Sequence, residues 1–195
     1  MGFQQTVGPV LEPVSLADAK DHLGVFHPAS DGRISALIMA ARQFVEEWTN
    51  RQLITATWKM TLDTFPVGII RLPRPPLITV SSVKYYDQDG VQQTLATSVY
   101  QADSGDEPAR FGLQSGEAWP SIEDGRYGAV EITYTAGYGT AASSVPPAIA
   151  HAIKLLIGHW NENREAVSTG SVSTELALAL KSILWLYYSP PFEVD

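Results

Sequence analysis

The sequence predicts an α+β fold: a helical bundle, made of an N-terminal helical hairpin plus two C-terminal helices, with a small antiparallel β-subdomain inserted. Three observations predict it. Apolar residues recur at helical spacing toward both ends of the 195-residue chain. They alternate through the middle, where a half-buried strand needs every second side chain inward. Clusters of Gly, Pro and Asp mark the changes of period. The resulting division is an N-terminal arm (1–14), a helical subdomain (15–51 and 146–188), a β-rich subdomain (52–145) and a C-terminal tail (189–195). Hydrophobic residues at 45% and charged residues at 17% are enough for such a core.

The arm carries two prolines and little periodicity, so it reads as extended chain. Ser15-Leu16-Ala17-Asp18 has the form of a capping box with Asp18 in the acidic position, and Gly24 closes the short helix that follows. After a turn containing Pro28, residues 31–51 read DGRISALIMAARQFVEEWTNR. Ile34, Leu37, Ile38, Ala41, Val45 and Trp48 line up as one apolar stripe along about four turns. Arg33, Arg42, Gln43, Glu46 and Glu47 lie off that stripe, and adjacent Glu46 and Glu47 read as a solvated face. Asp31 or Ser30 is the expected N-cap.

From Gln52 the period becomes two. Trp58, Met60, Leu62 and Thr64 alternate with Lys59, Thr61, Asp63 and Phe65. Arg71-Leu72-Pro73-Arg74-Pro75-Pro76 lacks the donors for a regular ladder and reads as an edge or a crossing. Ile78 to Tyr86 is a β-branched and aromatic run that ends in the Asp87-Gln88-Asp89-Gly90 hairpin turn. Further strands are expected at Val99–Asp103, Arg110–Leu113 and Ala129–Thr135, with Val130, Ile132 and Tyr134 as one inward row. Residues 104–108 and 114–128 are polar, Gly-containing loops, the second around Trp119-Pro120. Pro146-Pro147 then presets a helix striped by Ile149, Ala152, Ile153, Leu156 and Trp160. A polar linker leads to a last helix, Glu175 to Tyr188, stopped by Pro190-Pro191.

That last helix is apolar nearly all round: from Leu176 to Tyr188 only Lys181 and Ser182 are not. Such a helix must be buried on every side, yet it is too short to span a bilayer. A partner subunit covering its remaining face resolves the conflict, and the aromatics at its end suit an interface anchor.

Charge and composition exclude several functions. With 13 basic against 21 acidic residues the net charge is −8, so no basic face is expected to grip nucleic acid. There is no cysteine, which removes thiolate and disulfide chemistry. No long apolar run and no signal-like start point to a membrane or to secretion, so the expectation is a soluble protein of a cytoplasm-like compartment with no membrane partner. His151 and His159 stand eight apart, outside metal-ligand spacing. Asp87, Asp89 and Gly90 echo a calcium loop, but Ser98 stands where the closing acid belongs. Gly137-Tyr138-Gly139 lacks the P-loop spacing, and Ser143 and Ser144 form no triad signal with the four histidines. No catalytic, metal or cofactor residue is assigned.

The order of motifs resembles the head–tail connector (adaptor, or head-completion) family of tailed bacteriophages and gene transfer agents. The resemblance runs through VSLADAKDHL (14–23), IMAARQFVEEWTNR (38–51), PPLITVSSVKYYDQDG (75–90), Trp119-Pro120, VEITY (130–134), AGYG (136–139), Val145-Pro146 and HWNENREAV (159–167). After Ser173 it stops: relatives end in a basic helix, and here Leu184–Pro191 is apolar.

What the resemblance implies is a structural virion protein of the head–tail interface, assembled in the bacterial host cytoplasm. Its partners would be the portal protein, sister copies in a ring (commonly dodecameric), and stopper or tail-terminator proteins. Packaged DNA would pass through the lumen without specific binding. On that reading the residues expected at the portal are Leu176, Leu180, Leu184, Trp185, Tyr187, Tyr188 and Phe192. Those expected at subunit or tail contacts are Asp106, Glu107, Trp119, Glu123 and Asp124. The runner-up is another capsid- or tail-associated interaction module, and a hydrolase using His151 or His159 ranks last.

Overall fold

In the computed structural model, which describes residues 2–163 and 174–190, helices and antiparallel sheets occupy separate stretches of an α+β chain. The chain forms two compact units, Met1–Pro9, Thr55–Tyr138 and Ser189–Asp195 in one, Val10–Ile54 and Gly139–Tyr188 in the other.

The first unit is β-rich. Strands β1 (Gly2–Val7), β2 (Ala56–Leu62), β4 (Leu77–Tyr86), β5 (Gln92–Thr94) and β8 (Val130–Ala136) form a sheet in the order β1-β2-β8-β4-β5. Strands β3 (Ile70–Arg71), β6 (Tyr100–Asp103) and β7 (Arg110–Leu113) form a second sheet in the order β3-β7-β6. Every pairing is antiparallel. The register places Met60 opposite Ile132 and Ile132 opposite Val83, and all three are fully buried. Side chains two apart share a face, so Val130, Ile132 and Tyr134 make the inward row that the alternation requires. The Tyr134 hydroxyl donates to the Pro73 carbonyl at 2.9 Å, and burial pushes its pKa far above the ordinary value. That bond fixes the proline-rich crossing against the sheet. At the β4–β5 turn, Asp87 Oδ1 accepts from the backbone N–H of Asp89 and Val91, and Gly90 takes the positive φ of 73°.

The N-terminal stretch differs from the sequence reading. It is extended, as expected, but it is a hydrogen-bonded strand, with Gly2 opposite Thr61 through Gln5 opposite Trp58. Phe3 stacks on Trp58 with ring centroids 4.4 Å apart. A short polar segment gives no period of its own, so only its partner strand reveals it.

The second unit is helical: α1 (Leu16–Leu23), α2 (Asp31–Thr49), α3 (Pro147–Glu162) and α4 (Thr174–Leu184). The Ser15 hydroxyl accepts from the Asp18 N–H and donates to Asp18 Oδ2 at 2.6 Å. Gly24 ends α1 in the left-handed conformation at φ 64°. Ile34, Ile38, Ala41 and Val45 of α2 are buried, as are Ile149, Ala152, Ile153 and Leu156 of α3, and these two helices pack together.

Three expectations for this unit are corrected. Neither Ser30 nor Asp31 caps α2 with its side chain. A short 3₁₀ turn, Pro28–Ser30, leads into the helix instead, and Asp31 pairs with Lys20 at 2.6 Å. Glu46 is not on a solvated face: it and Arg42 are buried. Arg42 contacts Glu46 at 2.6 Å and Glu12 at 2.8 Å, while Glu46 Oε1 accepts from Gln52 Nε2 and from the Leu53 N–H. The last helix stops at Leu184, and its final turn, Trp185–Tyr187, is 3₁₀.

Candidate functional site

Two surfaces, one in each unit, carry the residues singled out from the sequence. In the helical unit, α4 is seated by Leu180 and Leu184, at 4% and 0% exposure. They face Phe44 and Trp48 of α2 across a hollow of about 80 Å³, which Ala177 and Lys181 also line. Residues four apart share a helix face, so the opposite face of the same helix is bare. On that face Leu178 is 63% exposed, and in the 3₁₀ turn that follows Trp185 is 61% and Leu186 82% exposed. Trp185 stacks on Tyr188 at 5.6 Å, and Tyr188 meets Trp48 edge-on at 6.1 Å. Arg51 Nε donates to the Tyr187 carbonyl and so ties down the 3₁₀ turn. Leu176 and Tyr187 are half-buried. Phe192 lies outside the described residues.

The structure therefore splits the predicted apolar set. Leu180 and Leu184 hold the helix to its own unit, and Trp185 and Tyr188 present aromatic surface outward. Leu178 and Leu186, which the sequence reasoning did not name, are among its exposed apolar side chains. Leu178 stands two positions from the seated Leu180, about 200° round the helix, and that offset was the available signal. Within α4, Leu180 and Leu184 are buried, Leu176 and Ile183 half-buried, and Ala177, Leu178 and Ala179 exposed, so the helix is not enclosed within its own unit.

In the β-rich unit the acidic loop residues are engaged with arginines of the same unit. Asp106 reaches Arg71 at 3.0 Å and Arg110 at 3.4 Å, and Asp103 reaches Arg110 at 2.6 Å. The Arg110 bond, then the Gly105 N–H, holds the Asp103 carboxyl below its ordinary pKa. Glu123 pairs with Arg126 at 2.9 Å, and Arg126 lies 3.5 Å over the Tyr86 ring. Glu107 and Asp124 are exposed. Trp119 is half-buried: its ring stacks on Phe65 at 4.6 Å and its Nε1 donates to the Pro66 carbonyl at 2.9 Å. It anchors its loop from inside. The sequence pointed to Asp106 but not to Arg71 and Arg110, because the strand pairing that joins them is not local.

The residues weighed for chemistry remain apart or are occupied structurally. His151 is exposed, and the His159 carbonyl accepts from the Asn163 side chain at the end of α3. Ser144 lies beside the Gly139 backbone. Among the described residues no cluster of three or more His, Asp or Glu could hold a metal ion, and no helix is long and apolar enough to cross a membrane.

Residues 13–175 match the family described as head completion protein. The fold is similar over 100% of this chain and 99% of the other to a chain in the neck of an empty GTA particle computed with C6 symmetry, at 22% identity and a TM-score of 0.82. With the same coverages, a chain in the virion of a native gene transfer agent particle matches at 23% identity and a TM-score of 0.80. A chain in the neck of a native GTA particle computed with C12 symmetry matches at 24% and 0.74. None of the curated proteins searched matches the chain.

Proposed function

This chain belongs to the head completion protein family, a structural protein and not an enzyme, and from that premise we propose that it is a head–tail connector that forms a ring under the portal. The ring extends the DNA channel and offers the surface on which stopper or tail-terminator proteins dock. Its place is the virion, with assembly in the host cytoplasm. The helical unit supplies the contact with the portal, and the loops of the β-rich unit supply contacts with sister copies and the tail.

The observation that carries this reading is the exposed apolar surface of α4 and the 3₁₀ turn after it. Leu178, Trp185 and Leu186 place large apolar side chains in water, and exposed apolar surface of this kind marks a protein partner. Trp185 and Tyr188 are the docking anchors, joined by Leu176 and Tyr187, with Leu180 and Leu184 seating the helix; Phe192, outside the described residues, belongs to the same expected set. In the β-rich unit, Asp106, Glu107, Glu123 and Asp124 are subunit or tail contacts on loops that Trp119 steadies. The net charge of −8 suits a lumen through which DNA slides, since few phosphates would be held.

Deleting Glu175–Asp195 should abolish capture by the purified portal, and so should the full-length Trp185→Ser/Leu186→Ser variant, which leaves the seated residues intact. Unchanged capture by the double variant overturns the portal assignment. Charge reversal at Asp106, Glu107, Glu123 and Asp124 should lower the yield of tailed particles; an unaltered yield removes those loops from the interface.

A further inference from the structure

The turn between the first two helices holds a phenyl ring out in water. Phe26 is 79% exposed, yet the chain on either side of it is fixed. The Gly24 N–H bonds to the Asp21 carbonyl and the Val25 N–H to the Lys20 carbonyl, the paired bonds of a Schellman closure. Beyond Phe26, His27 Nδ1 accepts from the Ala29 N–H at 3.1 Å, and Lys20 ties α1 to Asp31 at the start of α2. A side chain on such a turn loses little freedom when a partner covers it.

The β-rich unit carries a hollow of about 220 Å³, lined by Ile69, Phe111, Gly112, Gln101, Asp103 and Arg110. Phe111 is buried and Ile69 is 67% exposed, so the apolar lining has one fixed wall and one open to solvent. An apolar cavity of about 150 Å³ takes up benzene, so this hollow has room for one aromatic ring. Its rim adjoins the acidic loop assigned above to subunit or tail contacts, because Arg110 pairs with both Asp103 and Asp106.

We propose that Phe26 of one copy inserts into the Ile69–Phe111 hollow of the next copy. An exposed apolar side chain that fits a pocket elsewhere on the same molecule makes a head-to-tail contact, and rotation closes such contacts into a ring. Phe26 suits the hollow better than the other exposed aromatics. Trp185 is already stacked on Tyr188, and Tyr127 would carry a hydroxyl onto the apolar lining, whereas a phenyl ring leaves no polar atom to satisfy. The polar surroundings also match. With Nδ1 of His27 engaged as an acceptor, the neutral ring carries its proton on Nε2, a donor one residue from Phe26. The rim presents the Asp103 carboxylate, which can accept beyond its bonds from Arg110 and the Gly105 N–H.

This pairing deepens the ring reading and rests on it for closure. Its test uses the full-length chain in sedimentation and cross-linking. Phe26→Ser and Ile69→Asp, both at exposed positions, should each weaken self-association about tenfold with unchanged circular dichroism. Because both remove the same contact, the double variant should lose little more than either single one. The chain has no cysteine, so Ala29→Cys and Gln101→Cys can be bridged by a short bis-maleimide without background. A mixture of the two single-cysteine chains should give mixed dimers, neither alone should, and a chain carrying both should give a ladder. Assemblies, formed alone or on the portal, that keep their affinity in Phe26→Ser and give no such cross-link overturn the pairing and leave the ring standing. Phe26→Ser rings that form normally but no longer capture the portal or a stopper give the phenyl ring to that partner and equally overturn it. A chain that never assembles, alone or on the portal, overturns both readings.

Discussion

Glu46 shows how a residue's role depends on what folds back over it. Its neighbours Arg42 and Glu47 make α2 read as charged on one side, and nothing local distinguishes Glu46 from Glu47. The buried one is chosen by the chain that follows, since Gln52 and the Leu53 N–H return to Glu46 Oε1. Glu46→Ala would take from buried Arg42 one of its two carboxylates and from the Leu53 N–H its acceptor, while Gln52 keeps its bond to the Ile54 carbonyl; the change should cost about 3 kcal/mol in urea unfolding. Glu47→Ala, on the exposed side, should stay within about 0.5 kcal/mol. Asp87 provides a second test at this scale. Its carboxylate accepts from Gln93 first, and then from Val91 and Asp89, which lowers its pKa from 3.8. A carboxyl with a depressed folded-state pKa stabilises the fold above its unfolded value and loses that contribution as pH falls through the folded value. An NMR titration should find Asp87 below 3.8, with the hairpin loosening only at lower pH.

The elements with a strong period were legible at once. The stripe of α2, the capped start of α1 and the inward row of β8 are set by spacing and need no partner to be recognised. Ser15→Ala should lower stability by about 1 kcal/mol through the lost cap, read from a thermal or urea midpoint. The seated and exposed leucines at the end of α4 and in the turn after it should separate in the same measurement. Leu184→Ala opens a fully buried site and should cost about 2–5 kcal/mol. Leu186→Ala, at 82% exposure, should leave the midpoint nearly unchanged while weakening portal capture. If both changed stability equally, Leu186 would be packed rather than free. Strand β1 was not legible, because GFQQTV shows neither alternation nor a turn signal; its place in the sheet is defined by pairing with residues fifty or more positions away.

For the whole molecule, acidity and the spread of few cations predict how it treats DNA. Fluorescence anisotropy with a labelled duplex should show no saturating binding near 10⁻⁴ M protein at physiological salt, the weak end of non-specific association. A tight interaction with a steep salt slope would contradict a channel that lets DNA pass. The family itself was readable from motif order over most of the chain, because those motifs mark turns, caps and strand starts that the fold requires at fixed places. The acidic loop contacts were only half readable: Asp106 is visible as a charge, but Arg71 and Arg110 become its partners only when β3 and β7 pair.

By itself the sequence determined the α+β class, the position of nearly every long element and the surplus of apolar surface at the C-terminal helix, since these follow from period, turn chemistry and composition. Tertiary structure alone decided which charge on α2 is buried, which leucines of α4 face inward and where the sheet ends. Burial and strand pairing depend on residues distant in the chain, and local pattern carries no information about which distant segment arrives.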